Sequence, residues 1–347
     1  MSKQIRVGIL GATGTVGQRF VQMLERHPQF VVTALAASDR SVGKTYTEAC
    51  VWRLPGDMPR GVRALPVHPP RPPLDCDVIF SSLPADIGRE SEGCFAEAGY
   101  PVISNTSSYR MDAGVPLLVP EVNPEHLGVL DGRKGKGFIV TNPNCSAIGI
   151  ALALAPLHRA FGVKACVVTT LQAISGAGYP GVPAMDITDN VVPFIASEEE
   201  KIERETQKIL GSAKDGSILP AAFPVSAQVH RVNVQDGHIA AIRVNLGRKT
   251  DVAALRAALA EFSGVPQALK LHTAPERPII VRDEPDRPQP RLDRDAGGGM
   301  SITVGRLFPD HVLDYRFVVL SHNTVRGAAG AAILNAELLV AKGYLGA

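Results

Sequence analysis

The pentapeptide Asn142-Pro143-Asn144-Cys145-Ser146 sets a cysteine where it can serve as a nucleophile. The residues after it, Ala147 to Leu154, are apolar all round and read as a buried helix, while Val140-Thr141 reads as the end of a strand. Cys145 is therefore expected at a strand-to-helix turn. There the unpaired N–H groups and the positive end of the helix dipole should lower its pKa and favour the thiolate, the form that attacks. A lone cysteine is otherwise a small buried hydrophobe. Two downstream segments give this one possible partners. Ser175-Gly176-Ala177-Gly178-Tyr179-Pro180-Gly181, preceded by Gln172, is a glycine-rich loop whose backbone can approach a ligand. Arg231 and His238 stand seven residues apart around a turn, an arginine suited to a carboxylate and a histidine suited to moving a proton.

These residues need a scaffold, and the start of the chain supplies one. Val7 to Leu10 reads as a strand, Gln18 to Glu25 as a helix and Val31 to Ala36 as a second strand. Between the first two lies Gly11-Ala12-Thr13-Gly14-Thr15-Val16-Gly17, a G-x-x-G-x-x-G turn that can bring backbone against a pyrophosphate at a helix N-terminus. Arg40, flanked by Ser38 and Ser41 after the second strand, offers a charge-assisted site for a 2′-phosphate and inclines the reading to NADP, although Asp39 keeps NAD open. Further strands at Val78 to Ser82, Val102 to Ser104 and Phe138 to Thr141 complete a Rossmann-like, doubly wound parallel sheet. Runs at Ala165 to Thr170, His238 to Asn245 and Phe317 to Leu320 suggest a second, α+β domain. The division expected is 1–144 with 324–347 against 145–323, the alanine-rich helical segment Thr324 to Tyr344 packing back on the first domain. Pro66 to Pro73 reads as an extended surface loop.

Composition limits the rest. The chain has 347 residues, 45% hydrophobic and 20% charged, with a net charge of +2 and no basic run, so it lacks the electrostatic footprint of a nucleic-acid or anionic-membrane binder. Cys50, Cys76, Cys94, Cys145 and Cys166 have neither disulfide-framework nor zinc-site spacing, so no metal is expected and a reducing cytoplasm fits best. The uncharged stretch Gly137 to Leu157 is interrupted by polar turn residues and does not read as a membrane span, and the segment before Ile5 is too short for a signal peptide.

Together, these blocks closely resemble aspartate-semialdehyde dehydrogenase, in the branch found in archaea, fungi and some bacteria. The likeness runs through Gly11 to Phe20, Asn105 to Met111, Thr141 to Ile148, Thr170 to Pro183, Glu198 to Lys201, Arg231 to His238 and His322 to Ala331. It implies that Cys145 is the acyl-accepting nucleophile, His238 its acid/base partner and Gln172 the group that orients the acyl carbon. The thiolate would take the acyl group of L-aspartyl 4-phosphate, releasing inorganic phosphate and leaving a thioester that NADPH reduces to the semialdehyde. Backbone N–H groups just after Cys145 would hold the oxyanion. By the same likeness Arg231 pairs with the substrate α-carboxylate and Glu198 with its α-ammonium. Arg110, Lys201 and the nearby Asn105 would serve the phosphate, while Ser82, Ser175, Gly176 and Asn323 belong with the cofactor. On residues alone, Ser197-x-x-Glu200 reads as a capping box, the helix to Lys208 as solvated, and Asn323 as a helix cap. The likeness also implies that the second, α+β domain serves catalysis and dimerisation, in a homodimer or homotetramer. Arg287 to Arg291 shows no chemistry of its own.

Three rivals frame the reading. Malonyl-CoA reductase shares the cysteine and histidine but has no α-ammonium to bind, which leaves Glu198 and Lys201 without purpose. N-acetyl-glutamyl-phosphate reductase usually carries Gly where Asn144 stands. A dinucleotide-sensing regulator without turnover would not require both Cys145 and His238.

Overall fold

The structure, a computed structural model, describes residues 4–133 and 136–346. The first part alternates strand and helix: β1 (Ile5–Leu10), α1 (Thr15–Leu24), β2 (Phe30–Ala36), the single turn α2 (Tyr46–Ala49), β3 (Val67–His68), β4 (Val78–Ser81), α3 (Ala85–Glu97), β5 (Pro101–Ser104) and β6 (Phe138–Thr141). The strands form one parallel sheet in the order β3-β2-β1-β4-β5-β6. Every residue of β4 and β6 is buried, as expected of strands covered on both faces. The strand order reverses between β1 and β4, and a crevice opens there at the strands' carboxyl ends. Gly11 sits in it with φ +74°, and a Cβ at that position would lie 2.7 Å from the Ser82 carbonyl oxygen. Only glycine fits this approach. One expectation is corrected: within the proline-rich stretch 66–73, Val67 and His68 pair with Leu35 and Ala36 as the edge strand β3. An edge position tolerates the neighbouring prolines.

The second part begins with α4 (Cys145–Phe161) and β7 (Val163–Gln172). It continues through α5 (Ala184–Ile187), α6 (Glu198–Ile209), the hairpin β8 (Ser212–Lys214) and β9 (Ser217–Leu219), β10 (Val225–Arg231), β11 (His238–Leu246), α7 (Val252–Ala260) and α8 (Val265–Ala268). β12 (Ile279–Val281), α9 (Pro290–Asp293), β13 (Ile302–Pro309), β14 (Tyr315–Ser321) and α10 (Gly330–Ala341) complete it. The mixed sheet has the order β10-β7-β11-β14-β13-β12. Its inward residues, among them Val168, Val229, Ile242 and Phe317, pack on α4, whose residues from Ser146 to Leu157 are all buried. Its other face leaves Val167 and Leu171 exposed.

The segment after Asn323 is not one uniform helix. Val325–Ala329 is a π-turn, and α10 follows it. The wider turn carries Gly327 past Cys145 and buries Arg326 against Glu121. Ala332, Ile333, Ala336 and Leu339 of α10 then join the core built around Val7, Phe20 and Val140, so the chain returns to the first sheet.

Candidate active site

Cys145 opens α4 directly after β6, at the strand-to-helix turn the sequence implies. Asn144 is the N-cap, its Oδ1 accepting from Ser146 N–H (2.9 Å) and Ala147 N–H (3.1 Å). These are the donors expected to hold an oxyanion, and the cap already occupies them. The Asn144 N–H donates to Glu205 Oε2 (2.6 Å) and its Nδ2 to Glu198 Oε1 (2.9 Å), so two carboxylates of α6 fix the nucleophile turn. Behind the nucleophile lies Gly327, where a Cβ would stand 2.7 Å from that of Cys145.

The Cys145 Sγ lies 3.2 Å from His238 Nε2, and the Ala173 N–H donates to His238 Nδ1 (3.0 Å). β11 presents His238 after a turn ending at Gly237, whose φ is +101°. Asn323 holds that turn: Oδ1 accepts from Gly237 N–H (2.8 Å) while Nδ2 donates to Ser175 Oγ (2.8 Å). Asn323 therefore ties the histidine turn to the glycine-rich loop. Gln172, at the end of β7, donates from Nε2 to Thr170 Oγ1 (3.2 Å) and Glu198 Oε1 (3.0 Å). Arg231 stands opposite Gln172 at the end of β10, and its Nη1 donates to the Ala173 carbonyl (2.7 Å). A Cβ at Gly176 would fall 2.7 Å from Arg231 Nη1 and 3.0 Å from His238 Nε2, so glycine lets the loop lie over both without displacing the guanidinium.

The electrostatics run against one expectation. Burial, with the Glu198 carboxylate next in size, pushes the Cys145 thiol up to about 12, while Arg110 and Arg231 oppose the shift. Loss of water around the sulfur outweighs the helix dipole. Burial, then Arg231 and His322, pulls His238 down to about 3. Both groups are thus held neutral.

α6 is not the solvated helix its charge suggests. Ser197 has φ 58° and makes no cap through its side chain, which breaks the expected capping box, and Glu198, Glu205 and Lys208 are buried. Glu198, Lys201, Glu205 and Lys208 recur at three- and four-residue spacing and form one stripe. Lys201 is half-buried a turn beyond Glu198. Glu205 Oε1 accepts from Arg110 Nη1 (3.0 Å), and Arg110 Nη2 donates to the Asn105 carbonyl (2.7 Å). Lys208 Nζ donates to the carbonyls of Arg110, Asp112 and Val115 at 2.7, 2.8 and 2.9 Å. Glu205 and Lys208 escaped the reading of the sequence; the 3–4 spacing from Glu198 was their signal. Among the described residues, Arg110 Nε and Asn105 Nδ2 are buried donors with no acceptor, which suits an anionic ligand.

A cleft of about 800 Å³ connects the two halves, with Thr15 on one wall and Ser175 on the other. Thr13 and Gly14 form the turn into α1, which Thr15 and Val16 open, and Gly17 packs so closely that a Cβ would meet the Gly11 carbonyl at 2.3 Å. This is the close helix-to-strand packing a dinucleotide site requires. Ser82 Oγ donates to the Leu10 carbonyl (3.1 Å) across the switch point. Ser38 and Arg40 are exposed beyond β2 and Ser41 is buried, leaving the guanidinium accessible. The cleft also holds Arg19, one turn after Thr15, and Arg53, whose guanidinium sits 3.5 Å above the Tyr179 ring. Neither was legible as a site residue. In the loop after Asp286, Arg287 pairs with Asp293, and Arg294 reaches the Asp236 carbonyl (3.3 Å), buttressing the histidine turn. Among the described residues no cluster of three His, Cys, Asp or Glu side chains is arranged for a metal, and no helix is long and apolar enough to cross a membrane.

Comparison with known proteins agrees with this geometry. Residues 6–129 match the family described as "Semialdehyde dehydrogenase, NAD binding domain", and residues 154–326 match "Semialdehyde dehydrogenase, dimerisation domain". Aspartate-semialdehyde dehydrogenase of Methanothermobacter thermautotrophicus is 53% identical, covering 96% of this chain and 99% of its own. That of Archaeoglobus fulgidus is 52% identical, with 96% and 97% covered. The crystal structure of the Candida albicans enzyme with NADP superposes at a TM-score of 0.92, with 44% identity, 99% of this chain and 100% of that one. A Vibrio cholerae aspartate semialdehyde dehydrogenase II complexed with ASA gives 0.78 at 29% identity, with 98% and 99% covered. The chain belongs to the aspartate-semialdehyde dehydrogenases.

Proposed function

We propose that this enzyme converts L-aspartyl 4-phosphate to L-aspartate 4-semialdehyde with NADPH, through a thioester on Cys145. The observation that carries the reading is the buried cluster in which Cys145 Sγ lies 3.2 Å from His238 Nε2 and Glu198 shares hydrogen bonds with Asn144 and Gln172. The residues of the glycine turn and the cleft fit a dinucleotide: Gly11 to Gly17 and Ser82 for the pyrophosphate end, Ser38, Arg40 and Ser41 for a 2′-phosphate, and Ser175, Gly176 and Asn323 toward Cys145. When bound, NADPH supplies the two electrons and the hydrogen that reduce the acyl carbon.

The chain's own residues do the rest. Arg231 takes the α-carboxylate and Glu198 the α-ammonium, while Arg110, Lys201 and Asn105 receive the phosphate. These contacts set the acyl carbon against Cys145, whose sulfur adds to it as phosphate leaves. A buried carboxylate at Glu198 has an ammonium to meet in an amino-acid substrate and none in malonyl-CoA, which favours the former. Residues 1–144 with 324–347 form the cofactor domain and 145–323 the catalytic one. The open face of the second sheet, with Val167 and Leu171, suits a second copy in a homodimer or homotetramer. The product serves biosynthesis of lysine or diaminopimelate, threonine, methionine and isoleucine.

The test is phosphate-dependent reduction of NADP by L-aspartate semialdehyde, run beside malonyl-CoA with NADPH and with Cys145→Ala as control. Turnover of the semialdehyde alone, lost in the variant, supports the assignment. Turnover of malonyl-CoA alone moves the chain to the rival reductase, and failure of both points to a cofactor-binding regulator.

A further inference from the structure

Three asparagines meet where the segment before the nucleophile passes the proposed phosphate site. Asn335 of α10 donates from Nδ2 to the Leu118 carbonyl and to Asn142 Oδ1, at 3.5 Å each. Asn142 donates from Nδ2 to the Ala328 carbonyl (3.2 Å) and to Asn105 Oδ1 (2.9 Å). Asn335 and Asn142 have no exposed surface. A side-chain amide can turn end for end, whereas a backbone carbonyl only accepts. The Ala328 carbonyl therefore requires Asn142 to present Nδ2, and the Leu118 carbonyl requires the same of Asn335. Reversing either amide would set oxygen against oxygen. With Asn142 fixed, Asn105 must turn Oδ1 toward it, because the reversed amide would bring two NH2 groups together. The backbone of Asn105 is held as well. Its N–H donates to the Ser81 carbonyl (2.9 Å) and its carbonyl accepts from Arg110 Nη2 (2.7 Å). On either side of it, the hydroxyls of Ser104 and Thr106 donate to buried Glu92 (2.8 and 3.2 Å). What remains is Asn105 Nδ2, a buried donor with no acceptor among the described residues. Arg110 Nε is in the same condition, since Glu205 has taken Nη1 and the Asn105 carbonyl Nη2. Unmet buried donors are costly, and a ligand whose oxygens only accept relieves both.

We infer that Asn142 is a positioning residue for phosphate, which holds the Asn105 amide with its NH2 group toward the ligand. The inference rests on the placing of phosphate at Asn105 and Arg110, and it adds what makes Asn105 able to bind there. The ionised phosphoryl group of an acyl phosphate offers only acceptors. Asn105 therefore attracts it in one orientation and repels it in the other. Asn142 acts only through Asn105, because both hydrogens of its own amide are spent within the protein. The direction originates in the Leu118 carbonyl, between β5 and β6, and in the Ala328 carbonyl of the π-turn. The return of the chain after Asn323 thus sets the polarity of a site built from the first sheet. The two asparagines of the nucleophile turn divide the work: Asn144 caps α4, and Asn142 orients the phosphate donor.

The experiment measures the dissociation constant of inorganic phosphate on the full-length enzyme by 31P line broadening, with that of NADP as a control. Asn142→Asp puts an acceptor where Asn142 donates, so the Asn105 amide should turn and face phosphate with its oxygen. Phosphate should then bind about tenfold or more weakly, while NADP stays within about twofold. Asn142→Ala leaves the amide divided between two orientations, which halves the competent fraction and should weaken phosphate about twofold. Equal losses in the two variants, or a matching loss for NADP, would mean damaged packing and overturn the inference. A double-mutant cycle separates reorientation from simple repulsion by the new carboxylate. In an Asn105→Ala background no amide is left to turn, so the effect of Asn142→Asp should shrink to a few-fold; an undiminished effect overturns the inference. Should Asn142→Asp not fold, Asn142→Ala carries the same cycle, and a twofold loss that persists without Asn105 overturns it. If Asn105→Ala alone binds phosphate as tightly as the wild type, the phosphate lies elsewhere and the inference falls while the thioester reading stands. If the binding results are as expected but aspartate semialdehyde is not turned over, the substrate reading fails and the role of Asn142 stands.

Discussion

The charge state of Cys145 is set by competition among its neighbours. Burial and the Glu198 carboxylate hold the thiol protonated, while Arg110 and Arg231 pull the other way. Glu198→Gln removes the repulsion and the proposed ammonium partner together. Alkylation of Cys145 by iodoacetamide near neutral pH should accelerate several-fold, whereas KM for the semialdehyde should rise about tenfold to a hundredfold. Slower alkylation would show that Glu198 does not oppose the thiolate. His238 provides a second prediction at this scale. Its pKa falls to about 3 in the fold, against about 6.5 in an unfolded chain. The unfolded state therefore binds a proton that the native state refuses as pH drops from about 6.5 toward 3, and native stability declines over that window. Above about 6.5 this contribution is fully present. Between pH 7 and pH 5, urea denaturation should show His238→Gln losing about 1–2 kcal/mol less than the wild type.

At the scale of elements, the site depends on how closely two of them approach the Cys145 turn. The π-turn Val325–Ala329 passes so near that a methyl group on Gly327 would overlap Cys145, with contacts of 2.7 Å to Cβ and 2.9 Å to Cα. Gly327→Ala must displace the nucleophile or the turn. A shift of about 1 Å in a reacting group costs about a hundredfold in rate, so kcat should fall by that order while cofactor affinity, measured by fluorescence titration, stays within a few-fold. A parallel loss of both would mean that the turn shapes the cleft as well. α6 acts from the other side. Its stripe of Glu198, Glu205 and Lys208 holds Asn144, Arg110 and the carbonyls of Arg110, Asp112 and Val115 in one bonded array. A charged face that reads as solvated is thus spent on positioning.

Across the whole molecule, the return of the chain through α10 closes the two sheets around one cleft. Arg326 and Glu121, 205 residues apart in sequence, form a two-bond pair at 2.8 and 2.6 Å with neither side chain exposed. The pair links the π-turn beneath Cys145 to the segment between β5 and β6. Removing one partner leaves a buried, uncompensated charge, so Arg326→Met should lower stability to urea by about 3–5 kcal/mol. Adding Glu121→Gln should restore part of that loss. If the double variant is no more stable than Arg326→Met, the cost comes from packing rather than charge.

The sequence by itself determined the strand-to-helix turn that presents Cys145, the glycine turn into α1 and the parallel first sheet. Each is written in local pattern: a polar turn before an apolar run, glycines where backbone must approach closely, and strands apolar on both faces. It also named the residues that converge on Cys145, because their order along the chain matched a family. Tertiary structure decided the chemistry of their surroundings. Burial raised the Cys145 thiol although the local helix start argued for lowering it, since desolvation depends on what packs around the sulfur. The fold also occupied the expected oxyanion donors with Asn144, buried Glu198, Glu205 and Lys208 of α6, and set the Ala173 N–H against His238 Nδ1, 65 residues away in the chain. Such contacts join distant segments, and no local pattern of residues encodes them.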